Sequence, residues 1–335
     1  MVLVTGGTGF IGAHLLYHLA KNNIKVKAIR RSHSNLGYVR KVFRSYGDEA
    51  EANELFNQIE WIEADITDYR QLEETGLIPE IIYHCAGFVS FDPSEKQKIF
   101  KVNIDGTANI LNYALEKGVK KVGYMSSVAA LDSVRKGDLI TENHFGDVPQ
   151  RFSEYAESKF KAELEVWRGI EEGLNAVIIN PSVVIGPVMP EGSIGSVIKM
   201  LEKGLKYYPT GKTGFTDVRD VVSVLLQLMK KEHFNERFII NEGNYAYKEL
   251  VQKLAEILKV KAPYKPLPGF LTSFAWKWER VLQRLFGKKP SVTKTIHQSL
   301  TNQVLFSGDK VRQVLDYDFI PFEQSLIDTV ESRSI

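Results

Sequence analysis

A chain of 335 residues, 44% hydrophobic and 25% charged, is long enough to bury a substantial core without covalent staples. Its 43 basic and 41 acidic side chains leave a formal charge of +2, which rules out a strong electrostatic field and gives no reason to expect a nucleic-acid partner. The one cysteine, Cys85, excludes an internal disulfide and suits a reducing compartment.

Met1 runs directly into Val2-Leu3-Val4 and a glycine turn, without the basic region and cleavage site of a leader. No stretch is apolar for long enough to make a transmembrane segment, so the cytoplasm is the expected compartment. β-Branched runs then alternate with helical patterns. Strands are expected over 2–4, 24–29, 59–64, 81–85, 119–125 and 176–179. Helices are expected over 11–21, where Ile11, Leu15 and Leu19 share one face, and over 154–172. Alternation of this kind predicts βαβ units, and therefore an α/β fold with a Rossmann doubly wound parallel sheet that binds ligands at the carboxyl ends of its strands.

After Pro181 turn residues cluster, as in Gly186-Pro187 and Tyr208-Pro209-Thr210-Gly211, and the pairing of helices with strands loosens. The expected organisation is a dinucleotide-binding domain over 1–180 and a smaller mixed α/β substrate-binding region over 181–335, with part of 213–246 returning to the first domain. Within the second region, 270–286 places Phe274, Trp278, Leu282 and Leu285 at helical spacing. It reads as a helix covering a pocket or core rather than as a membrane face.

The first of these expectations to carry chemistry is the turn Val4-Thr5-Gly6-Gly7-Thr8-Gly9-Phe10-Ile11-Gly12, which follows a strand and opens a helix. Gly6 permits the tight turn, Gly9 lets the backbone approach a pyrophosphate, and Gly12 lets the helix pack closely on the sheet. The amides from Thr8 to Ile11 and the helix dipole then attract an anion. The second strand ends in Arg30-Arg31-Ser32, where an NAD site would carry an acidic residue. Two cations and a hydroxyl suit a 2′-phosphate instead, so NADP(H) is preferred over NAD(H), with Arg31 ranked before Arg30. Tyr155-Ala156-Glu157-Ser158-Lys159 sets a phenol and an ammonium one helical turn apart, where the cation is expected to lower the tyrosine pKa. The fifth strand ends upstream in Ser126-Ser127, at the sheet edge that carries the glycine turn.

In its glycine spacing and wording, TGGTGFIG, the chain resembles the extended short-chain dehydrogenase/reductase family, within the NAD-dependent epimerase/dehydratase superfamily. Further motifs that look like the family's run the length of the chain: Asp65-Ile66, His84-Cys85-Ala86-Gly87, Asn103-Ile104-Asp105-Gly106-Thr107, Phe215 to Val221 and Phe306 to Lys310. The resemblance implies that Asp65 and Ile66 hold the adenine, that Cys85, Ala86 and Gly87 line the cofactor, and that Pro181, Val183 and Val184 face the nicotinamide. It also implies Ser127 rather than Ser126 as the catalytic serine, with Tyr155 exchanging a proton with the substrate and Lys159 holding the nicotinamide ribose. Asn103 is expected to support Lys159 through a water.

Asn180-Pro181-Ser182-Val183-Val184-Ile185-Gly186-Pro187, with Arg30-Arg31, resembles the dihydroflavonol reductase and cinnamoyl-CoA reductase branch. That implies hydride transfer between nicotinamide C4 and a carbonyl or secondary alcohol. Phe88, Phe91, Tyr207, Phe274 and Trp278 suggest an apolar or aromatic small molecule as substrate; a homodimer is left open. The alternatives are a nucleotide-sugar epimerase or dehydratase with retained NAD, and a non-catalytic dinucleotide sensor. Leu131 stands where sugar-modifying relatives carry a second tyrosine, and Val128-Ala129 where dehydratases carry Asp-Glu. An intact Ser127, Tyr155 and Lys159 opposes the sensor. His14 and His18, one turn apart, have no glutamate between them and read as packing or solvated residues rather than metal ligands. Tyr38 to Arg44, followed by Asp48-Glu49-Ala50-Glu51, reads as a charged amphipathic surface segment.

Overall fold

The computed structural model describes residues 1–131, 138–144, 153–190, 194–268 and 294–335. The strands in chain order are β1 (Val2–Thr5), β2 (Val26–Arg30), β3 (Glu60–Glu63), β4 (Ile81–His84), β5 (Lys121–Met125), β6 (Leu139–Ile140) and β7 (Asn175–Pro181). They continue with β8 (Val183–Ile185), β9 (Tyr207–Tyr208), β10 (Lys212–Asp217), β11 (Glu236–Ile240), β12 (Gly243–Ala246), β13 (Lys265–Pro266) and β14 (Leu305–Phe306). Seven of them form one parallel sheet in the order β3-β2-β1-β4-β5-β7-β11. The chain starts at β1, builds outward to β3, and returns to β4 on the other side of β1. The carboxyl ends of β1 and β4 therefore flank the point where winding reverses, and a crevice opens there.

The sheet strands are apolar on both faces because both faces are covered. Val2 and Val4 of β1, with Val177 and Ile179 of β7, pack beneath the helices Phe10–Lys21 and Val218–Lys230. Leu3, Ala176 and Ile178 face the opposite core, beneath Gly106–Glu116 and Glu154–Glu171. Two strands start later than their apolar runs. Ile24 is 38% exposed and its amide closes the preceding helix on the Leu19 carbonyl, while the Val119 amide does the same on Ala114. Residues taken by a helix end are lost to the strand that follows.

Beyond Pro181 the chain alternates between two bodies of structure. β8, β10 and β12 make a three-stranded sheet over a separate core that contains Ile198, Phe215, Leu254 and Leu326. Between β10 and β12, the helix Val218–Lys230 and β11 return to the seven-stranded sheet. Smaller pairs join β9 to β13 and β6 to β14.

Local surfaces follow from charge and apolar spacing. Val39, Val42 and Phe43 are the buried face of the otherwise charged helix Leu36–Arg44. His14 is fully buried between the Tyr46 hydroxyl and the Pro187 carbonyl, and burial pushes its pKa down to about 3, so it links the first helix to the later chain as a neutral ring. Segment 270–286, with Phe274 and Trp278, lies outside the described residues. Among the described residues no helix is long and apolar enough to cross a membrane.

Candidate active site

The glycine turn is a place where two backbones touch. Gly6 has φ +71°, and a Cβ on it would lie 2.4 Å from the Ala86 nitrogen. A Cβ on Gly12 would lie 2.2 Å from the Gly6 carbonyl oxygen. Gly12 thus admits the turn itself against the helix, rather than the sheet as the spacing alone predicts. The Gly9 amide donates to the Gly6 carbonyl at 2.9 Å, and the helix that begins at Phe10 has no acidic side chain in its first turn to compete with an anion.

A cavity of about 270 Å³ opens along the ends of β1 to β4. Of the residues expected to hold a dinucleotide, its wall brings together Gly6, Thr8, Gly9, Arg30, Arg31, Asp65, Ile66, Cys85, Ala86 and Gly87. Ile29, Ser34, Ala64 and Val102 join them and were not legible in the sequence, and Phe88, expected on the substrate side, lines the same wall. Phe10, Ile11 and Gly12 lie outside the wall: Phe10 sets its ring edge-on against His14, and Ile11 packs on the core. Pro181, Val183 and Val184 lie at the end of β7 and in β8.

At the far end of the cavity the two arginines differ. The Arg30 guanidinium is 3.4 Å from the Ser32 carbonyl and 3.7 Å from the Glu63 carboxylate on the neighbouring strand. Arg31 is exposed and has no ion-pair partner among the described residues. Its amide donates to Ser34 Oγ at 3.0 Å, which folds the loop so that Ser34, not Ser32, reaches the cavity. The Asp65 carboxylate accepts the Thr67 amide at 2.9 Å and keeps its own loop against the opening. A backbone cradle, an open helix N-terminus and a cationic far wall together fit a nicotinamide dinucleotide.

The residues expected to be catalytic gather beside β5. Ser126 is buried and its hydroxyl donates to Glu163 at 2.6 Å, whereas the Ser127 hydroxyl hydrogen-bonds the Tyr155 phenol. The serine choice left to resemblance thus has a geometric basis, since successive side chains leave an extended chain on opposite sides. Ser153 caps the helix Glu154–Glu171 by accepting the Ala156 amide at 3.1 Å, which fixes where Tyr155 and Lys159 stand. Phe91 lies edge-on to the Tyr155 ring, 6.1 Å between centroids.

Lys159 is buried, donates from Nζ to the Met125 carbonyl at 2.8 Å and faces the Tyr124 ring at 5.1 Å. Burial lowers its pKa to about 8, against the opposing pull of Glu163. The expected lowering of the Tyr155 pKa is not met: burial raises it above the ordinary value, and the opposing influence is the Ser127 hydrogen bond. The lysine ammonium is directed to the strand-end carbonyl rather than to the phenol.

Asn103 ties two parts of the site together. It lies in a π-helical turn, Lys101–Asp105, of the kind that often marks functional positions. Its Oδ1 accepts the Phe88 amide at 2.7 Å, and its Nδ2 donates to the Phe88 carbonyl at 3.0 Å and to the Ser158 hydroxyl at 2.9 Å. With both donors taken, Asn103 clamps the cavity wall directly to the helix Glu154–Glu171.

Two nearby groups are kept out of proton chemistry by burial. His84 sits between the Thr5 and Thr107 hydroxyls with its pKa pushed down to about 3, and the Cys85 thiol is pushed up to about 12. In the 180–187 segment and just after it, Ser182, Gly186 and Val188 already donate their amides to the Ile240 carbonyl and to the Thr329 and Ser332 hydroxyls. Val183–Ile185 between them pairs with Phe215–Asp217.

The sequence profile of the NAD dependent epimerase/dehydratase family matches residues 2–241. A dihydroflavonol 4-reductase-like protein of Synechocystis sp. is 27% identical over 98% of this chain and 92% of its own length. Cinnamoyl-CoA reductase 1 of Petunia hybrida is 25% identical over 99% of this chain and 91% of its own. Among solved structures, gox2253 superimposes with a TM-score of 0.81 at 27% identity, covering 100% of this chain and 98% of that one. The UDP-glucose 4-epimerase of Thermotoga maritima, at 22% identity and a TM-score of 0.76 over 99% and 98% of the two chains, shares the fold.

Proposed function

The chain belongs to the NAD dependent epimerase/dehydratase family and is an NAD(P)-dependent enzyme of the extended short-chain type, and from that premise we propose that it interconverts a carbonyl compound and its secondary alcohol, with NADP(H) preferred. The observation that carries the reading is the Ser127 hydroxyl on the Tyr155 phenol, with Lys159 buried one helical turn on. When bound, the nicotinamide supplies or takes the hydride at C4.

The chain's own residues then hold the substrate oxygen and manage its proton. Tyr155 gives its phenolic proton to that oxygen in reduction and takes it back in oxidation. The Ser127 hydroxyl donates to the same oxygen and stabilises the negative charge that develops there. Lys159 holds the nicotinamide ribose and, as an ammonium, opposes the cost of a transient phenolate. Asn103 is a positioning residue, since it fixes Phe88 and Ser158 rather than a reacting group. Arg31 and Ser34 present a cation and a hydroxyl to a 2′-phosphate, with Arg30 partly neutralised by Glu63. Phe91, edge-on to the Tyr155 ring, favours a substrate with an apolar or aromatic face, as do the named activities of the reductase relatives.

A nucleotide-sugar reading is less well supported because Leu131, where sugar-modifying relatives carry a tyrosine, is buried in a small apolar cluster, and Val128-Ala129, where dehydratases carry Asp-Glu, offers no ionisable group. The test offers NADPH with a panel of aliphatic and aromatic aldehydes and ketones, beside UDP-sugars with NAD. NADPH loss in the first panel alone is expected. Conversion of a UDP-sugar with no NADPH consumed in the first panel overturns the proposal.

A further inference from the structure

Beneath Ser127 lies a polar cluster that the steps above do not use. Glu163 stands one turn beyond Lys159 on the same helix and is only 2% exposed. Its Oε2 accepts the Ser126 hydroxyl at 2.6 Å and Asn180 Nδ2 at 2.7 Å, and its Oε1 accepts Arg237 Nη1 at 3.0 Å. Asn180 Nδ2 also donates to the Ser127 carbonyl at 3.1 Å. One carboxylate therefore joins the end of β5, the end of β7 and the interior of β11 to the catalytic helix.

Burying an ion pair is a poor way to gain stability, because apolar side chains of the same volume do as well or better. The partners of this pair suggest another use. Two of the three groups bound to Glu163 flank or hold the backbone of Ser127, and its charge faces Lys159. We propose that Glu163 is the positioning residue of the site: it fixes the strand end that carries Ser127 and sets a buried negative charge one helical turn from Lys159. The effect on turnover rests on the reading of the site as a reductase; the effect on Lys159 does not.

The groups around Lys159 allow this to be read out. Tyr155 and Glu163 face it from its own helix, His84 and Cys85 from β4 and its end, and Tyr124 from β5. Burial holds the histidine neutral, the cysteine a thiol and both tyrosines phenols at neutral pH. Glu163, ion-paired to Arg237, is the anion of the set, and its field raises the Lys159 pKa against burial.

The experiment uses two double variants of the full chain, so that no buried guanidinium is left unpaired. Glu163→Gln/Arg237→Met keeps an acceptor for Ser126 and Asn180 but removes the charge. Glu163→Met/Arg237→Met removes both. NMR titration of the Lys159 side chain, assigned against Lys159→Met, should show its midpoint falling by roughly one pH unit in both variants. Loss of the Arg237 charge alone would move it upward. In the Met/Met variant kcat should be about 10- to 100-fold below that of the Gln/Met variant, with an unchanged cofactor KM, because Ser127 loses its support. Ser126→Ala, a milder change that removes no charge, should lower kcat about tenfold and leave the Lys159 midpoint in place.

An unmoved Lys159 midpoint in either folded double variant overturns the proposal, as does equal turnover in the two. If the wild-type chain reduces none of the carbonyls while the Lys159 midpoint still falls, the reductase reading fails and the hold of Glu163 on Lys159 stands.

Discussion

The two ends of the site are built by opposite means. At the glycine turn, the surface is made by the absence of side chains: two stretches of backbone lie so close that neither Gly6 nor Gly12 has room for a Cβ, and what it offers a ligand is amides and a helix dipole. Beside β5, the arrangement is made by side chains drawn towards the interior. Ser127, Tyr155, Lys159 and Asn103 are held by hydrogen bonds, and burial shifts the acid-base behaviour of Tyr155 and Lys159. The first end is governed by steric fit and should respond little to pH. The second is governed by electrostatics and should respond strongly.

Breaking the steric end has the largest expected effect. Gly6→Ala adds a Cβ against the 85–86 backbone at a φ that disfavours it, and should cost about 4 kcal/mol or more. Thermal unfolding and dinucleotide titration check this, with binding of both NADPH and NADH lost. At the electrostatic end, Tyr155→Phe removes the proton donor and little volume. Steady-state kinetics should show kcat lower by about 10² to 10⁴, while calorimetry gives a cofactor Kd close to wild type. A Tyr155→Phe enzyme at full rate would falsify the assignment of the proton donor.

The contrast sharpens with pH. Lys159 has a folded pKa of about 8 against an ordinary 10.5. Below about pH 8 folded and unfolded chains both carry the proton and the folded state bears the whole burial cost. Between 8 and 10.5 the unfolded chain binds more protons, so the contribution of this lysine to stability rises with pH, by about 3 kcal/mol in total. Denaturation of wild type and Lys159→Met across that window should show the wild type gaining on the variant, even as wild-type turnover falls with loss of the ammonium. A constant difference between the two would place the Lys159 titration outside this window. The smallest effect belongs to the far wall of the cavity. Arg31→Ala should weaken NADPH binding about 10- to 100-fold, the worth of one charge-assisted hydrogen bond, and leave NADH binding nearly unchanged. Equal weakening of both cofactors removes the 2′-phosphate role.

The parts of the molecule legible in the sequence are those whose signal is local. β1 with its glycine turn, the alternation that makes the sheet, and the Tyr155 to Lys159 spacing each occupy a few consecutive residues. What was missed lies between elements distant in the chain. Ser34 enters the cavity in place of Ser32 because the Arg31 amide folds the loop back on it. Asn103 bridges Phe88 and Ser158, which lie far apart in the chain. Glu163 carries no local mark at all: it reads as one more charge on an amphipathic helix, and only its meeting with Ser126, Asn180 and Arg237 distinguishes it.

Glycine spacing, apolar periodicity and the order of serine, tyrosine and lysine determined by themselves that this chain winds a parallel sheet around a dinucleotide turn, because backbone sterics and side-chain period act over short stretches. Tertiary structure alone decided which serine meets the phenol, which arginine has no ion-pair partner among the described residues, and that burial rather than the lysine sets the tyrosine pKa. Desolvation and hydrogen bonding depend on what other strands and helices bring within a few ångströms, and no linear spacing encodes that.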